Sequence, residues 1–286
     1  MKKYPCKSKL RIVIFTFILT LLQLCTHHQI EADILENLSY TVVLLHSTKS
    51  DGTLTVGTGF FLATDLFLYI ITAEHVAQTL TSQSQITIRT KEGKSLTFPL
   101  NDIVQDKEGN NWPTHKEADV TILPLKDNEK LSTEEFKNRF LPISLILKDK
   151  AAPLRATTLT VIGFPLGLPL VINTNDSFSP ISRETKPASD LLILPRFDTK
   201  KPAKFFLTQD PSIGGFSGAP IVDTGLPLQI DNAMYLRPSM ALVVGLVHGT
   251  LSDDTGGKMG AIVPSYYILE TIEQFEEQFK TKSIHK

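Results

Sequence analysis

Residues 53–76 read TLTVGTGFFLATDLFLYIITAEHV. Two stretches of this segment, residues 53–63 and 66–72, are rich in Val, Ile, Thr and Phe, which is typical of β-strands. Similar stretches recur at residues 39–46, 85–90, 118–125, 157–164, 190–197, 203–209, 241–249 and 259–264. No helical period of comparable length interrupts them before residue 264. The sequence therefore predicts an all-β sandwich or barrel rather than a parallel α/β sheet.

Two segments carry helix signals. Ser132-Thr-Glu-Glu135 has the pattern of a capping box and predicts a short surface helix. After Pro264, apolar residues recur at intervals of four, three and four residues, which predicts an amphipathic C-terminal helix. We expect its apolar stripe to pack on the β-domain, with partner binding as the alternative. The stripe consists of Ile268, Ile272, Phe275 and Phe279.

The composition, with 42% hydrophobic and 21% charged residues in a chain of 286, is typical of a folded globular protein. The 29 basic and 30 acidic side chains nearly cancel, which gives no reason to expect a nucleic-acid partner or an electrostatically held membrane surface. Residues 126–156 have the composition of a connection between two β-units. We predict an N-terminal unit over residues 33–150 and a C-terminal unit over residues 151–286.

The first 32 residues differ from the rest of the chain. A basic leader precedes an apolar stretch at residues 12–25, which is the pattern of a secretory signal peptide, with cleavage expected after Ala32. The stretch is short for a membrane-spanning helix, which needs roughly 20 apolar residues. We therefore expect an exported protein, either periplasmic or secreted. A membrane anchor left uncleaved is one alternative, and a lipid on Cys25 is another, disfavoured because Leu24 stands where a small residue is expected.

Both cysteines, Cys6 and Cys25, lie in this leader. The predicted mature chain therefore has no thiol, so it forms no disulfide and offers no cysteine to a metal.

Three short segments contain residue types that suit acyl-transfer chemistry. The segments are ITAEHV with His75, EADVTIL with Asp119, and GGFSGAP with Ser217. A base, an acid that orients it and a hydroxyl are the parts needed for attack on an acyl carbon. Each segment alone is usually structural, as a strand end or a tight turn. Their combination is more specific, because the three residues occur in the order His, Asp, Ser, 44 and 98 residues apart.

These segments resemble the conserved blocks of the chymotrypsin/trypsin-like serine proteases, and more closely those of the disulfide-free bacterial members. TAEHV resembles the TAAHC or TAAHV block of the family, ADVTILPL its D-I-A-L-L block, and GGFSGAP its G-x-S-G-G-P block. The resemblance covers residues 40–264 and implies two antiparallel six-stranded β-barrels, followed here by the C-terminal helix. His75 and Asp119 would come from the first barrel and Ser217 from the second, as a catalytic triad in the cleft between them.

The resemblance also implies the surroundings of the nucleophile. The backbone N–H groups of Gly215 and Ser217 would form the oxyanion hole, since glycine permits the close approach of a substrate. Pro211 and His248 are expected to line the substrate pocket, which disfavours cleavage after Lys or Arg and favours an uncharged or acidic side chain. Neither a cofactor nor a metal is expected.

Three residues depart from the pattern of the family. Glu74 precedes His75 in place of Ala, and Ala219 replaces the second Gly after Ser217. Phe216 stands where the digestive enzymes have an Asp that pairs with a freed N-terminal ammonium, so we expect no activation of that kind. The resemblance implies an exported serine endopeptidase that forms an acyl-enzyme on a protein or peptide substrate. The alternatives are a catalytically inactive relative that binds another protein, and an esterase that uses the same triad.

Overall fold

The structure is a computed structural model that describes residues 34–284, with gaps at residues 50, 106–111, 127–128, 169–176, 226–227, 231–232 and 236–241. The predicted signal peptide, residues 1–32, lies outside the described residues. Among the helices within these ranges, none has the length and apolar character needed to cross a membrane.

The described part of residues 42–142 contains a seven-stranded sheet. Its strands are β1 Val42–Thr48, β2 Leu54–Ala63, β3 Leu68–Thr72, β4 Gln85–Arg89, β5 Ser95–Pro99, β6 Thr121–Pro124 and β7 Leu141–Pro142. Six of them pair antiparallel in the order β5-β4-β1-β2-β3-β6, and β7 runs parallel to β2. β1 lies within this order, and six of its seven residues (VVLLHST) are buried, because both of its faces are covered.

The second sheet also has seven strands within the described residues, all antiparallel. They are β8 Leu159–Gly163, β9 Ile181–Thr185, β10 Leu192–Pro195, β11 Pro202–Thr208, β12 Pro220–Asp223, β15 Leu242–Ser252 and β16 Lys258–Pro264. Their order is β10-β11-β16-β15-β12-β8-β9, and β13 Leu228–Ile230 pairs apart from them with β14 Ala233–Tyr235. The predicted all-β class with two antiparallel units is confirmed, whereas the closure of each sheet into a six-stranded barrel and the domain boundary near residue 150 stay predictions.

Among the described residues, α-helices accompany the sheets at residues 34–41 (α1), Glu74–Ala77 (α2) and Tyr266–Ile284 (α3). The predicted C-terminal helix is confirmed as α3, and its predicted stripe faces the protein. Ile268 and Ile272 are buried, while Phe275 packs edge-on against Phe67 with ring centroids 5.6 Å apart. The helix follows the last strand of the second sheet but contacts residues next to β3, so it joins the two sheets.

The capping-box prediction was wrong. Residues 129–132 form a 3₁₀ turn, and the chain then continues in turns instead of an α-helix. The N–H of Phe136 bonds to the carbonyl of Thr133 at 3.0 Å, and Asn138 adopts a left-handed φ of 64°. Tertiary contacts decide this conformation. Phe136 is buried against Phe61, and buried Arg139 donates to the carbonyl of Tyr40 at 2.9 Å.

The start of the first predicted strand was also wrong, because residues 39–41 belong to α1 and the strand begins at Val42. Hydroxyls satisfy carbonyls near the end of the helix. Thr41 Oγ1 donates to the carbonyl of Leu38 at 2.8 Å, and Ser39 Oγ donates to that of Glu36 at 2.7 Å. Such local bonds let the Ser and Thr side chains compete with strand pairing.

Candidate active site

His75 lies directly after β3, in the one-turn helix α2. Ala73 is extended (φ −72°, ψ 144°) and turns the chain from the strand into the helix. The backbone N–H of His75 donates to Asp119 Oδ1 at 3.0 Å, and His75 Nδ1 lies 2.7 Å from Asp119 Oδ2. Two contacts to one carboxylate therefore fix both the backbone and the ring of His75.

Asp119 is fully buried in the turn that precedes β6. His115 shapes this turn, because its Nδ1 accepts the N–H groups of Glu117 at 3.1 Å and Ala118 at 3.0 Å. Burial alone would raise the pKa of Asp119, but hydrogen bonds from His248 and His75 hold it well below its usual range. Asp119 is therefore a fixed anion at the base of the imidazole.

Ser217 lies at the tip of a tight turn before β12. Gly218 has a φ of +82°, and a Cβ added there would lie 2.9 Å from the backbone nitrogen of Ala73, so the position requires glycine. The N–H of Gly218 donates to the carbonyl of Val247 at 2.8 Å, and the N–H of Val247 donates to that of Ala219 at 2.9 Å. These bonds dock the turn on β15.

Thr58 ties the same turn to the first sheet. Its N–H donates to the carbonyl of Ser217 at 2.9 Å, and its Oγ1 donates to the carbonyl of Gly215 at 2.7 Å. The hydroxyl in turn accepts the N–H of Phe164 at 3.0 Å. The turn of Ser217 is therefore held by residues of both sheets.

The hydroxyl of Ser217 donates to the carbonyl of His248 at 3.3 Å and makes no other hydrogen bond with the described residues. It is therefore not bonded to His75 in this state. The N–H groups of Gly215 and Ser217, predicted to form the oxyanion hole, likewise donate to nothing within the described ranges. Neither N–H group is therefore engaged in a hydrogen bond within these ranges.

The structure places the His248 ring away from the predicted pocket. Its Nδ1 lies 2.5 Å from Asp119 Oδ2, and the side chain is buried. The reason is physical, since a carboxylate without access to water binds every donor within reach. Pro211 does line a cavity of about 20 Å³ behind the Ser217 turn. There Arg183 donates to the carbonyl of Pro211 at 2.9 Å and pairs with Asp210 at 3.6 Å.

Sequence reasoning missed Arg196, which lies in the turn between β10 and β11. Its buried guanidinium contacts three carboxylates through Nη2: Asp198 Oδ2 at 2.5 Å, Glu74 Oε2 at 2.7 Å and Asp119 Oδ1 at 3.3 Å. Burial opposes the charge of Arg196, but the hydrogen bond to Asp198 and the charge of Asp119 raise its pKa above the usual value. The side chain of Glu74, which stands where the family has Ala, thus points toward Arg196 and pairs with it.

The neighbouring Phe197 covers the imidazole of His75. The two rings meet edge to face with centroids 4.8 Å apart, and 41% of Phe197 is exposed. No sequence signal marks Arg196 or Phe197, because their roles depend on where a hairpin of the second sheet reaches across the cleft.

Within the part of the chain that the structure describes, two groups of side chains have the ligand types for a metal: His75, Asp119 and His248, and Glu74, Asp119 and Asp198. The three ligand atoms of each group lie within 4.8 Å of one another. In the first group the imidazole nitrogens already bond to the carboxylate, and in the second the Arg196 cation binds all three carboxylates. The donors of both groups are thus engaged within the protein.

Comparison with known proteins identifies a family and solved structures of similar fold. Residues 57–225 match the trypsin-like peptidase domain family. The HtrA-type protease AlgW, solved with a decapeptide, has a similar fold at a TM-score of 0.54 and 13% identity, over 86% of this chain and 67% of that one. The active form of the Rv3671c protease from M. tuberculosis is similar at a TM-score of 0.51 and 13% identity, over 84% and 82%. No curated protein matches the chain in sequence.

Proposed function

The chain belongs to the trypsin-like peptidase domain family, and from that membership we propose that it is an exported serine endopeptidase with His75, Asp119 and Ser217 as its triad. The observation that carries the assignment is the 2.7 Å contact between His75 Nδ1 and Asp119 Oδ2, beside the turn that carries Ser217. It leaves Nε2 of His75 as the nitrogen available to take a proton, as a general base requires.

The reaction begins when Ser217 Oγ attacks the substrate carbonyl carbon and its proton passes to His75 Nε2. Before this the hydroxyl turns from the carbonyl of His248 toward the imidazole, a realignment typical of enzymes whose catalytic hydrogen bonds form fully only with substrate bound. The negative oxygen accepts the N–H groups of Gly215 and Ser217. His75 then protonates the leaving amine, and water hydrolyses the ester to Ser217 by the reverse path.

The charges around Asp119 favour the cationic imidazole formed in the first step. Glu74, Asp119 and Asp198 carry three negative charges, and Arg196 carries one positive charge. The site is therefore net negative in the resting enzyme and loses part of that excess when His75 gains a proton. A preorganised field of this sign lowers the energy of the transition state.

The assignment is tested by labelling with a fluorophosphonate, which reacts with an activated serine. Ser217→Ala is expected to abolish labelling and hydrolysis, whereas Ser252→Ala, at an exposed strand end, retains both. Equal labelling of the Ser217 variant and the wild type would overturn the triad. A wild type that is not labelled would indicate the inactive binding protein, and labelling with turnover of esters alone would indicate an esterase.

For specificity we propose a small, uncharged side chain in the cavity lined by Pro211. The cavity measures only about 20 Å³, and Asp210, the acidic group among its described lining residues, is already paired with Arg183. A peptide-library profile is the measurement, and a profile dominated by Lys and Arg contradicts the proposal.

Export rests on the basic and apolar pattern of residues 1–32. The expected result is a mature chain that begins at Asp33 in the periplasm or the medium. N-terminal sequencing of the fractionated protein measures it, and an intact N-terminus in the membrane fraction would indicate an anchor instead.

A further inference from the structure

His248 lies at an irregular point of β15. Val247 pairs with Ile262 and Gly249 pairs with Ala261, so the register shifts between them and His248 has no partner on β16. This is the arrangement of a β-bulge, in which an extra residue is turned out of the alternating pattern of the strand. The bulge aims the imidazole across the cleft at Asp119, with Nδ1 2.5 Å from Oδ2.

The proton of the His248 ring is located by a second contact. The backbone N–H of Phe197 points at His248 Nε2 at 3.3 Å. Because an N–H donor requires a lone pair on its acceptor, Nε2 is unprotonated and the proton resides on Nδ1. His248 is therefore a neutral donor to Asp119. Gly249 makes this contact possible, since a Cβ at that position would lie 2.8 Å from the ring of Phe197.

Asp119 thus receives two imidazoles on one oxygen. Nδ1 of His75 lies 2.7 Å from Oδ2, and the two rings stand at 89° to each other with centroids 5.7 Å apart. The other oxygen, Oδ1, accepts the backbone N–H of His75 and the guanidinium of Arg196. Each oxygen therefore has one partner in His75 and one donor from the second half of the chain, which fixes the plane in which the carboxylate meets the His75 ring.

We propose that His248 is a positioning residue, which acts through Asp119 to keep His75 in the orientation and tautomer that general-base catalysis needs. The inference rests on the proposed function of His75, and it replaces the substrate-pocket role predicted for His248. The His248 imidazole bonds to Asp119, which also binds His75. The other ionisable groups around this carboxylate are Arg196 and its partners Glu74 and Asp198.

The alternative role for His248 is packing in the core. The positioning role and the packing role predict opposite orders of kcat for two variants of His248. The His248 ring lies between the rings of Phe197 at 4.2 Å and Phe205 at 4.9 Å, so His248→Phe preserves the aromatic contacts and removes the donor. In His248→Asn the amide nitrogen takes the place of Nδ1, which preserves the donor and removes the ring. A positioning role predicts a higher kcat for His248→Asn than for His248→Phe, and a packing role predicts the reverse.

We expect His248→Phe to lower kcat by about 10- to 100-fold with KM within about twofold, and His248→Asn to stay within about threefold of the wild type. Thermal unfolding of both variants identifies any loss of folded protein. Equal kcat values for the three proteins, or a Phe variant more active than the Asn variant, would overturn the proposal.

NMR spectroscopy tests the same proposal independently of hydrolytic activity. Long-range ¹H–¹⁵N NMR spectra of Ser217→Ala are expected to show His248 protonated on Nδ1 and unprotonated on Nε2. The downfield Nδ1 proton of His75 should persist with His248→Asn in that background and shift or disappear with His248→Phe. A His248 proton on Nε2 contradicts the inference, whereas equal fluorophosphonate labelling of Ser217→Ala and wild type contradicts only the triad.

Discussion

At the scale of single residues, Asp119 accepts four donors with its two carboxylate oxygens. Its two oxygens face the His75 backbone, the His75 ring, the His248 ring and Arg196. All four are donors, so an acceptor-only side chain suits the position and an amide does not. A carboxamide would direct its NH₂ at one of these donors and leave it unpaired.

We therefore expect Asp119→Asn to lower kcat by roughly 10⁴-fold, because the amide stabilises the wrong tautomer of His75. The control is Asp190→Asn, whose side chain is 90% exposed and which should leave kcat unchanged. Steady-state kinetics of both variants provide the measurement. A loss of tenfold or less for Asp119→Asn would mean that another acid orients the imidazole.

The sequence predicted part of this site and missed part of it, for a physical reason. His75, Asp119 and Ser217 lie in short motifs whose local turns prepare them for their role, so the motif carries the signal. The roles of His248 and Arg196 depend on a bulge and on a hairpin turn of the second sheet that face Asp119 only after folding. Arg and His in such turns are ordinary surface residues in most sequences.

At the scale of elements, the β10–β11 hairpin joins the second sheet to the catalytic acid. Arg196, at the end of β10, is 3% exposed, and its guanidinium binds Glu74, Asp119 and Asp198. Glu74 and Asp119 belong to the first half of the chain. One cation therefore couples the position of the hairpin to the geometry of the site.

Arg196→Met should reduce the free energy of unfolding by about 3 to 5 kcal/mol, because it leaves three buried or half-buried carboxylates without their cation. The matched control is Lys201→Met at the exposed end of the same turn, for which we expect little change. Urea unfolding measures both. Similar losses for the two variants would show that the hairpin is not held by its charges.

The same hairpin predicts how stability depends on pH. Burial alone would raise the pKa of Asp198, but its hydrogen bond with Arg196 lowers the pKa below the usual value. A carboxyl whose folded-state pKa is depressed stabilises the fold above its unfolded pKa of about 3.9, and this stabilisation is lost as the pH falls through the folded value. The free energy of unfolding should thus fall below about pH 4, and less steeply in Asp198→Asn. Urea titrations between neutral and acid pH are the measurement, and parallel curves contradict the prediction.

Most strands were predictable, since their runs of β-branched and aromatic residues are long. The sequence analysis did not predict the short strands β5, β7, β9, β12, β13 and β14, and it did not identify β9 or β10 as sheet edges. Ile181 in β9 and Ile193 in β10 are exposed, because an edge strand covers less of the core and keeps a weaker apolar pattern. The helix predicted at residues 132–135 was wrong for a different reason. Its local sequence signal is strong, but the burial of Phe136 and Arg139 determines the conformation instead.

At the scale of the whole molecule, α3 connects the two halves of the chain. It follows β16 of the second sheet, yet Glu276 Oε1 accepts the hydroxyls of Thr64 at 2.7 Å and Tyr69 at 2.9 Å, beside and within β3. Burial and the charge of Glu276 raise the pKa of Tyr69 above its usual value, so the phenol stays a donor in this contact. We therefore expect the two sheets to unfold as one cooperative unit.

Phe275→Ala tests this coupling, since the ring packs half-buried against Phe67 and Tyr69 of the first half. We expect it to lower the free energy of unfolding by about 2 kcal/mol, less than a fully buried Phe would lose. Trp112, the single tryptophan, is buried in the first half, so its fluorescence follows that half while circular dichroism follows both. If the chain unfolds as one cooperative unit, Phe275→Ala shifts the unfolding midpoints measured by fluorescence and by circular dichroism together. In the control Gln278→Ala, at an exposed site, both midpoints should stay at the wild-type value. A Phe275→Ala protein whose dichroism midpoint falls while its Trp112 midpoint stays would mean that α3 stabilises the second sheet alone.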